Sequence, residues 1–381
     1  MTQRQPTPSE GKTLILHIGD HKTGSTTLQN AFATGQVFVE GARILYPANL
    51  NHNYLLGVFR AEAADQTSFF VPRPGRPDLA QLRAQIEATD AEYIVISGEQ
   101  FENLEAADFK RVTDRWFADV VARVRVVAYA RPHAQRFISN FAELVKIGAI
   151  EGGMDAYLER ILDTGRYHFA ARFGRWRTAF GEDFLLRPMI REQLYNGSVV
   201  DDFAHYAFDK RPVRFGSFAI DNQSTGLSEL MFLKFIQDRF DQSQKFIRHT
   251  MAREIVRYMG VFGQGRTSDK LRLHRALATD LRALYWEDAC ALDAAFFAGK
   301  PLFETALEEA CDAATEEPAS LEPADYFTAE ELRYLGALRE ILWDAMQTPK
   351  NWSAIFHKNR VQNLHSGASL HGSAATQDTP V

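Results

Sequence analysis

The sequence predicts an α/β fold: a three-layer arrangement with a central parallel sheet flanked by helices, followed by a helical C-terminal extension. Three observations carry that expectation. Short β-prone apolar runs (residues 13–18, 93–97 and 125–130) are separated by segments with apolar residues at helical spacing, the pattern of strands buried on both faces. The first run ends in a glycine loop that leads directly into a helix-like segment. Beyond Val199 the pattern becomes almost wholly helical.

Taken in order, residues 13–18 read as a fully apolar strand and 25–34 as a helix. A weaker strand at 43–46 is stopped by Pro47, and a helix follows at 78–88. The run Tyr93-Ile-Val-Ile-Ser97 is a strong buried strand, 106–121 a helix, 125–130 a further strand and 134–147 a further helix. A short helix is expected at 156–162, and a fifth strand at 184–187, ended by Pro188. Helical spacing then dominates at 227–240, 247–259 and 271–289. Residues 313–325 are acidic and proline-broken, a surface loop. Thr328 and Glu331 have the spacing of a capping box that opens a helix over 328–346. This divides the chain into a flexible N-terminus (1–12), an α/β domain (13–300), a helical extension (301–365) and a low-complexity tail (366–381) expected to be disordered.

Composition narrows the function classes. The chain has 381 residues, 45% hydrophobic and 24% charged, as expected of a globular protein. A formal charge of −6 argues against a broad nucleic-acid footprint, which needs clustered positive charge, but leaves room for a small anionic ligand. Cys290 and Cys311 have no metal-ligand spacing and fit a reducing compartment. The polar N-terminus lacks the apolar core of a signal peptide, and no window approaches the roughly 18 apolar residues of a membrane span. The expectation is a cytoplasmic protein with no membrane span.

The chemistry concentrates at Gly19-Asp-His-Lys22-Thr23-Gly24-Ser25-Thr26-Thr27. Strand, glycine loop and helix N-terminus form a phosphate cradle, because first-turn N–H groups and the helix dipole both favour an anion. A Walker A loop would place lysine directly after the second glycine. Ser25 occupies that slot and Lys22 lies two residues before Gly24. The hydroxyls of Ser25, Thr26 and Thr27 add donors. A second cluster follows the 125–130 strand: Arg131 stands at a strand's carboxyl end, where open α/β sheets bind ligands, and Ser139 lies about two helical turns further on. Arginine plus hydroxyl suits a phosphate.

Together these segments resemble the sulfotransferase family that uses 3′-phosphoadenosine 5′-phosphosulfate (PAPS). Lys22-Thr23-Gly24-Ser25-Thr26 matches its 5′-phosphosulfate loop, and Arg131 with Ser139 has the spacing of its 3′-phosphate site. The run His17-Ile-Gly to Leu28-Gln29, with Arg131-Pro132 and Val145-Lys146-Ile-Gly148, looks most like bacterial carbohydrate-type sulfotransferases. Weaker similarity continues through Phe180 to Pro188, Asp201-Asp-Phe203 and Asn222-Gln-Ser224. The resemblance implies a P-loop-like fold, PAPS as donor, PAP as product, a hydroxyl-bearing acceptor of glycan type, and no metal.

The acceptor hydroxyl needs a base. Glu99, just past the 93–97 strand, is the first choice, and His52 and His21 are the alternatives. His17, within a strand, reads as a core histidine. Tyr157, Tyr167, Phe169, Phe173 and Trp176 read as core before cleft, and Arg73 and Arg76 as a solvated loop. Two rival readings remain. A P-loop kinase or other phosphotransferase would want lysine after Gly24 and an acidic metal ligand. A non-catalytic nucleotide-binding protein would be expected to lose Lys22 or Arg131.

Overall fold

Leu14, Ile15 and Leu16 have no solvent exposure, which explains why the first strand sits at the centre of a sheet and not at its edge. The computed structural model describes residues 11–66, 71–218, 225–240, 245–262, 269–347 and 352–366. Five strands form one parallel sheet in the order β3-β4-β1-β5-β6: β1 (Thr13–His17), β3 (Ile44–Leu45), β4 (Tyr93–Ser97), β5 (Arg123–Ala130) and β6 (Phe184–Pro188). These are the five strands expected from sequence. In register, His17 lies beside Ser97 on one side and Val127 on the other, so the carboxyl ends of β1, β4 and β5 form a common rim.

The helices of the α/β part are α1 (Ser25–Ala33), α2 (Leu55–Ala63), α3 (Leu79–Ala88), α4 (Ala106–Phe117), α7 (Phe169–Phe180) and α8 (Val199–Ala207). One sheet face buries Ile15, Val95, Val127 and Tyr129 against Leu28 and Phe32 of α1 and Phe203 and Ala207 of α8. Strand alternation turns Leu14, Leu16, Ile94 and Ile96 to the opposite side. The helices α2, α4 and α7 join one another through Phe59 stacked on Phe109 at 4.7 Å and Phe109 edge-on to Trp176 at 5.2 Å.

An antiparallel pair, β2 (Val37–Val39) with β7 (Val213–Phe215), was not expected. Strands of three residues are too short for a period-2 signal. The Leu271 helix is also corrected. Thr315 N–H donates to the Leu273 carbonyl and Arg275 N–H to the Thr315 carbonyl, so the chain is extended through His274 and helix α11 runs Arg275–Phe296.

The chain divides into two compact units: Met1–Pro132 with Arg166–Asn222 and Tyr285–Glu304, and His133–Gly165 with Gln223–Leu284 and Thr305–Val381. The second unit is helical. It contains α5 (His133–Lys146), α6 (Met154–Ile161), α9 (Leu227–Gln237), α10 (Lys245–Phe262), α13 (Ala329–Gln347), α14 (Trp352–Ser366) and parts of α11 and of α12 (Leu302–Asp312). Ile236, Phe240 and Met251 form its local core with Trp343. The expected capping box is present: Glu331 N–H donates to Thr328 Oγ1 at 3.2 Å, and Thr328 N–H to Glu331 Oε2 at 2.8 Å. Residues 1–10, 367–381 and Asn222-Gln223-Ser224 lie outside the described residues. No described helix is long and apolar enough to cross a membrane.

Candidate functional site

The loop between β1 and α1 depends on two glycines. Gly19 has φ 97°, and a Cβ on it would lie 3.1 Å from Glu99 Cα, so only glycine lets the turn after β4 rest against the loop. Gly24 has φ 80°, and its Cβ would meet Val199 Cγ1 of α8 at 2.9 Å. Lys22 also lies in the left-handed region, at φ 65°, an uncommon conformation for lysine. Strain of this kind is held in place by its surroundings and gathers at functional sites.

Helix α1 opens with hydroxyls and no side-chain cap. Thr27 N–H donates to the Gly24 carbonyl at 3.1 Å, closing the first turn. The buried Ser25 hydroxyl has no hydrogen-bond partner among the described residues. A buried hydroxyl at a helix N-terminus with nothing to bond is where an oxyanion would be received. Thr23 is buried and donates to the Asp20 carbonyl at 2.5 Å, which braces the loop, while Thr26 is half-buried.

Charged side chains hold this loop from three directions. Arg131, just beyond β5, donates from Nη1 to the Lys22 carbonyl at 2.9 Å. Arg172 of α7 makes a two-pronged pair with the buried Asp20 carboxylate, at 2.8 and 2.5 Å, and lies over the Phe173 ring at 4.5 Å. The Glu102 carboxylate accepts the His21 backbone N–H at 3.0 Å and Arg166 at 2.8 Å, and lies 2.7 Å from His21 Nδ1. The loop therefore carries a buried acid of its own, Asp20, paired with Arg172 of α7.

Glu99 begins a 3-10 turn, Glu99–Asn103, at the end of β4. It is half-buried, and its Oε1 accepts from Asn53 Nδ2 at a long 3.4 Å. The carboxylate thus lies on the same rim as the loop, with Gly19 in contact with its backbone. His52 is fully buried; its Nδ1 accepts the Ser97 N–H at 3.1 Å and its ring meets Tyr46 edge-on at 4.9 Å. Burial drives its pKa down to about 3, so it is neutral, and complete enclosure keeps it from direct contact with an acceptor hydroxyl. His17 is buried, bonded through Nδ1 to Ser97 Oγ at 2.8 Å, and lowered to about 3 by the same cause, as expected of a core histidine.

The first unit thus brings together Lys22, Thr23, Gly24, Ser25, Thr26, Thr27, Glu99 and Arg131. Ser139 belongs to α5 in the second unit. Tyr157, Tyr167, Phe169, Phe173 and Trp176 are all buried and serve as core. Arg73 and Arg76 close a tight turn through mutual backbone bonds. Arg73 borders a cleft of about 720 Å³ with Tyr46, Asn49 and Gln81, and none of residues 19–27, Glu99 or Arg131 lines it. Sequence reading missed Asp20, Glu102, Arg166 and Arg172. Arg172 had a visible signal, since it lies between Phe169 and Phe173 on one helical stripe, but its partner lies 152 positions away.

No protein-family model matches this chain, and no curated protein matches it. Among solved structures, a sulfotransferase from Alicyclobacillus acidocaldarius aligns with 76% of this chain and 98% of its own, at 12% identity and a TM-score of 0.41.

Proposed function

We propose that this chain transfers the sulfuryl group of PAPS to a hydroxyl acceptor, of carbohydrate or glycoconjugate type, and releases PAP. The observation that carries this reading is the cradle itself. A buried, unpartnered Ser25 hydroxyl occupies the slot where an ATP-binding loop has its lysine, and Lys22 stands earlier in the loop, tied at its carbonyl to Arg131. The residues fit an anionic donor: Gly24 to Thr27 for its 5′-phosphosulfate, and Arg131, with Ser139 by sequence spacing, for its 3′-phosphate.

Sulfuryl transfer is an in-line displacement analogous to phosphoryl transfer, so positioning and charge stabilisation supply most of the rate. The acceptor oxygen forms a bond to sulfur while the bond from sulfur to the 5′-phosphate oxygen breaks, and the electron pair goes to that oxygen. In this assignment Lys22 stabilises the charge that develops there. Glu99 takes the acceptor's proton, and no metal is required. His52, enclosed in the core, is given no direct part. The donor is a small nucleotide, and neither nucleic acid nor a membrane span enters the reading; the cytoplasm is its proposed setting.

Titration with PAP, ADP and ATP, each with and without magnesium, while thermal stability is followed, tests the donor. A ligand bound only by the native state raises stability with concentration over Kd. Stabilisation by PAP without magnesium is expected. Preference for ATP with magnesium would overturn the reading in favour of a P-loop phosphotransferase.

A further inference from the structure

The segment Asn51-His52-Asn53 is pinned to the exit of β4 by two opposed hydrogen bonds. His52 N–H donates to the Ser97 carbonyl at 2.8 Å, and Ser97 N–H donates to His52 Nδ1 at 3.1 Å. The imidazole thus completes a ladder that the backbone alone cannot, because the chain leaves the sheet at this point. Gly98 makes the approach possible: a Cβ there would lie 3.3 Å from the His52 carbonyl carbon and 2.9 Å from the Phe101 ring. Asn53 N–H then turns back to Asn51 Oδ1 at 3.2 Å, which fixes the start of the turn into α2.

This pin delivers the Asn53 side chain to the turn that carries Glu99. Gln100 N–H donates to Asn53 Oδ1 at 3.1 Å. A backbone N–H needs an acceptor, so this bond decides which end of the amide is oxygen and which is nitrogen. The nitrogen must then face the other way, and there Nδ2 lies 3.4 Å from Glu99 Oε1. One amide thereby reads both the backbone and the carboxylate of a two-residue segment.

We infer that Asn53 is the positioning residue for Glu99: it aims the carboxylate at the acceptor hydroxyl, with His52 serving as the pin that places Asn53. The inference rests on the sulfuryl-transfer reading, in which Glu99 accepts the acceptor's proton. In this assignment Asn53 acts through Glu99 and not on the reacting atoms. Neighbouring groups on the same turn and loop have partners of their own. On its own turn Glu102 is paired with His21 and Arg166, and on the cradle loop Asp20 is paired with Arg172 and the Lys22 carbonyl with Arg131. His52, lowered by burial, is neutral. Asn53 supplies the hydrogen bond that Glu99 receives in this arrangement.

The experiment uses the full chain with Asn53→Ala, Asn53→Asp and Glu99→Gln. PAP binding is measured by calorimetry. PAPS turnover is followed as PAP release, with water and with a panel of desulfated heparin, chondroitin and p-nitrophenyl glycosides. Asn53→Ala is expected to lower kcat on the order of 10- to 100-fold, as small displacements of catalytic groups do, with PAP affinity unchanged within twofold. Asn53→Asp keeps the acceptor for Gln100 N–H but sets a second carboxylate beside Glu99. It should move the acidic limb of the pH–rate profile to higher pH, a change that a merely structural residue would not produce. Turnover retained in Asn53→Ala, or an unmoved acidic limb in a folded Asn53→Asp, would overturn the assignment while the donor reading stands. Parallel loss of PAP binding in both variants would show a structural role and overturn it as well. A wild-type chain that does not bind PAP would remove the donor reading first, and this inference with it.

Discussion

Arg131 Nη1 donates to the carbonyl oxygen of Lys22 at 2.9 Å, across 109 positions of sequence. Two motifs that each admit a bland explanation alone, a tight strand-to-helix turn and a helix-opening arginine, are therefore parts of one structure. The arginine holds the backbone of the left-handed lysine through its carbonyl.

Replacing Arg131 by alanine removes a charge-assisted bond to the loop and a positive charge from the proposed 3′-phosphate site. A hydrogen bond to a charged group contributes about 1.5–3 kcal/mol, so PAP should bind roughly 10- to 100-fold more weakly. Calorimetric titration of Arg131→Ala and Arg131→Lys checks this. An unchanged Kd in both would remove Arg131 from the donor site.

Lys22→Met tests charge stabilisation against binding. Removing one preorganised donor to a developing oxyanion typically lowers kcat by about 100- to 1000-fold. PAP should still bind, because the loop backbone and the α1 hydroxyls remain. Turnover within threefold of wild type would show that Lys22 does not act on the leaving oxygen.

The Asp20–Arg172 pair should behave as a unit. Breaking a buried pair by removing one partner costs about 3–5 kcal/mol, since the remaining charge is left uncompensated. Arg172→Gln should therefore lower the urea midpoint and weaken PAP binding, with a bare anion left in an anion cradle. Adding Asp20→Asn to it should recover part of both losses. A double variant as damaged as the sum of the single ones would show that the two residues act independently.

Acid should destabilise the fold through His17 and His52. Burial lowers both from 6.5 to about 3, so the unfolded chain binds more protons throughout that window. Their contribution is fully present above pH 6.5 and is lost as pH falls toward 3, by about 1 kcal/mol per pH unit for each histidine. Asp293, buried where it accepts the Phe303 N–H and raised from 3.8 to about 6, acts in the opposite sense; its contribution is present below 3.8 and lost as pH rises through 6. Between pH 6 and pH 4 Asp293 should thus offset roughly half of the loss caused by the two histidines. Urea unfolding across pH 4–8 measures it, and His17→Gln should flatten the profile. Stability constant from pH 7 to pH 4 would contradict the assigned burial of these rings.

What could be read from the chain alone was whatever repeats locally. Five strands, most of the helices and the cradle loop follow from apolar period, glycine placement and capping spacing, because these are properties of neighbouring residues. The Thr328–Glu331 capping box is such a case. The three-residue strands β2 and β7 carry no period, and the extended stretch at His274 overrides a helical pattern by bonding to Thr315, so both required the folded chain.

The sequence by itself determined the α/β class and a glycine loop between strand and helix with its lysine displaced from the Walker A position. Tertiary structure decided the electrostatics of that loop: which acid is neutralised, by Arg172 on Asp20; which histidine is sealed in, His52; and which amide holds Glu99, Asn53. The physical reason is range. Periodicity and capping act within a few residues, whereas a charge is set by its nearest partner and its exposure to water, and both come from segments brought together only when the sheet forms.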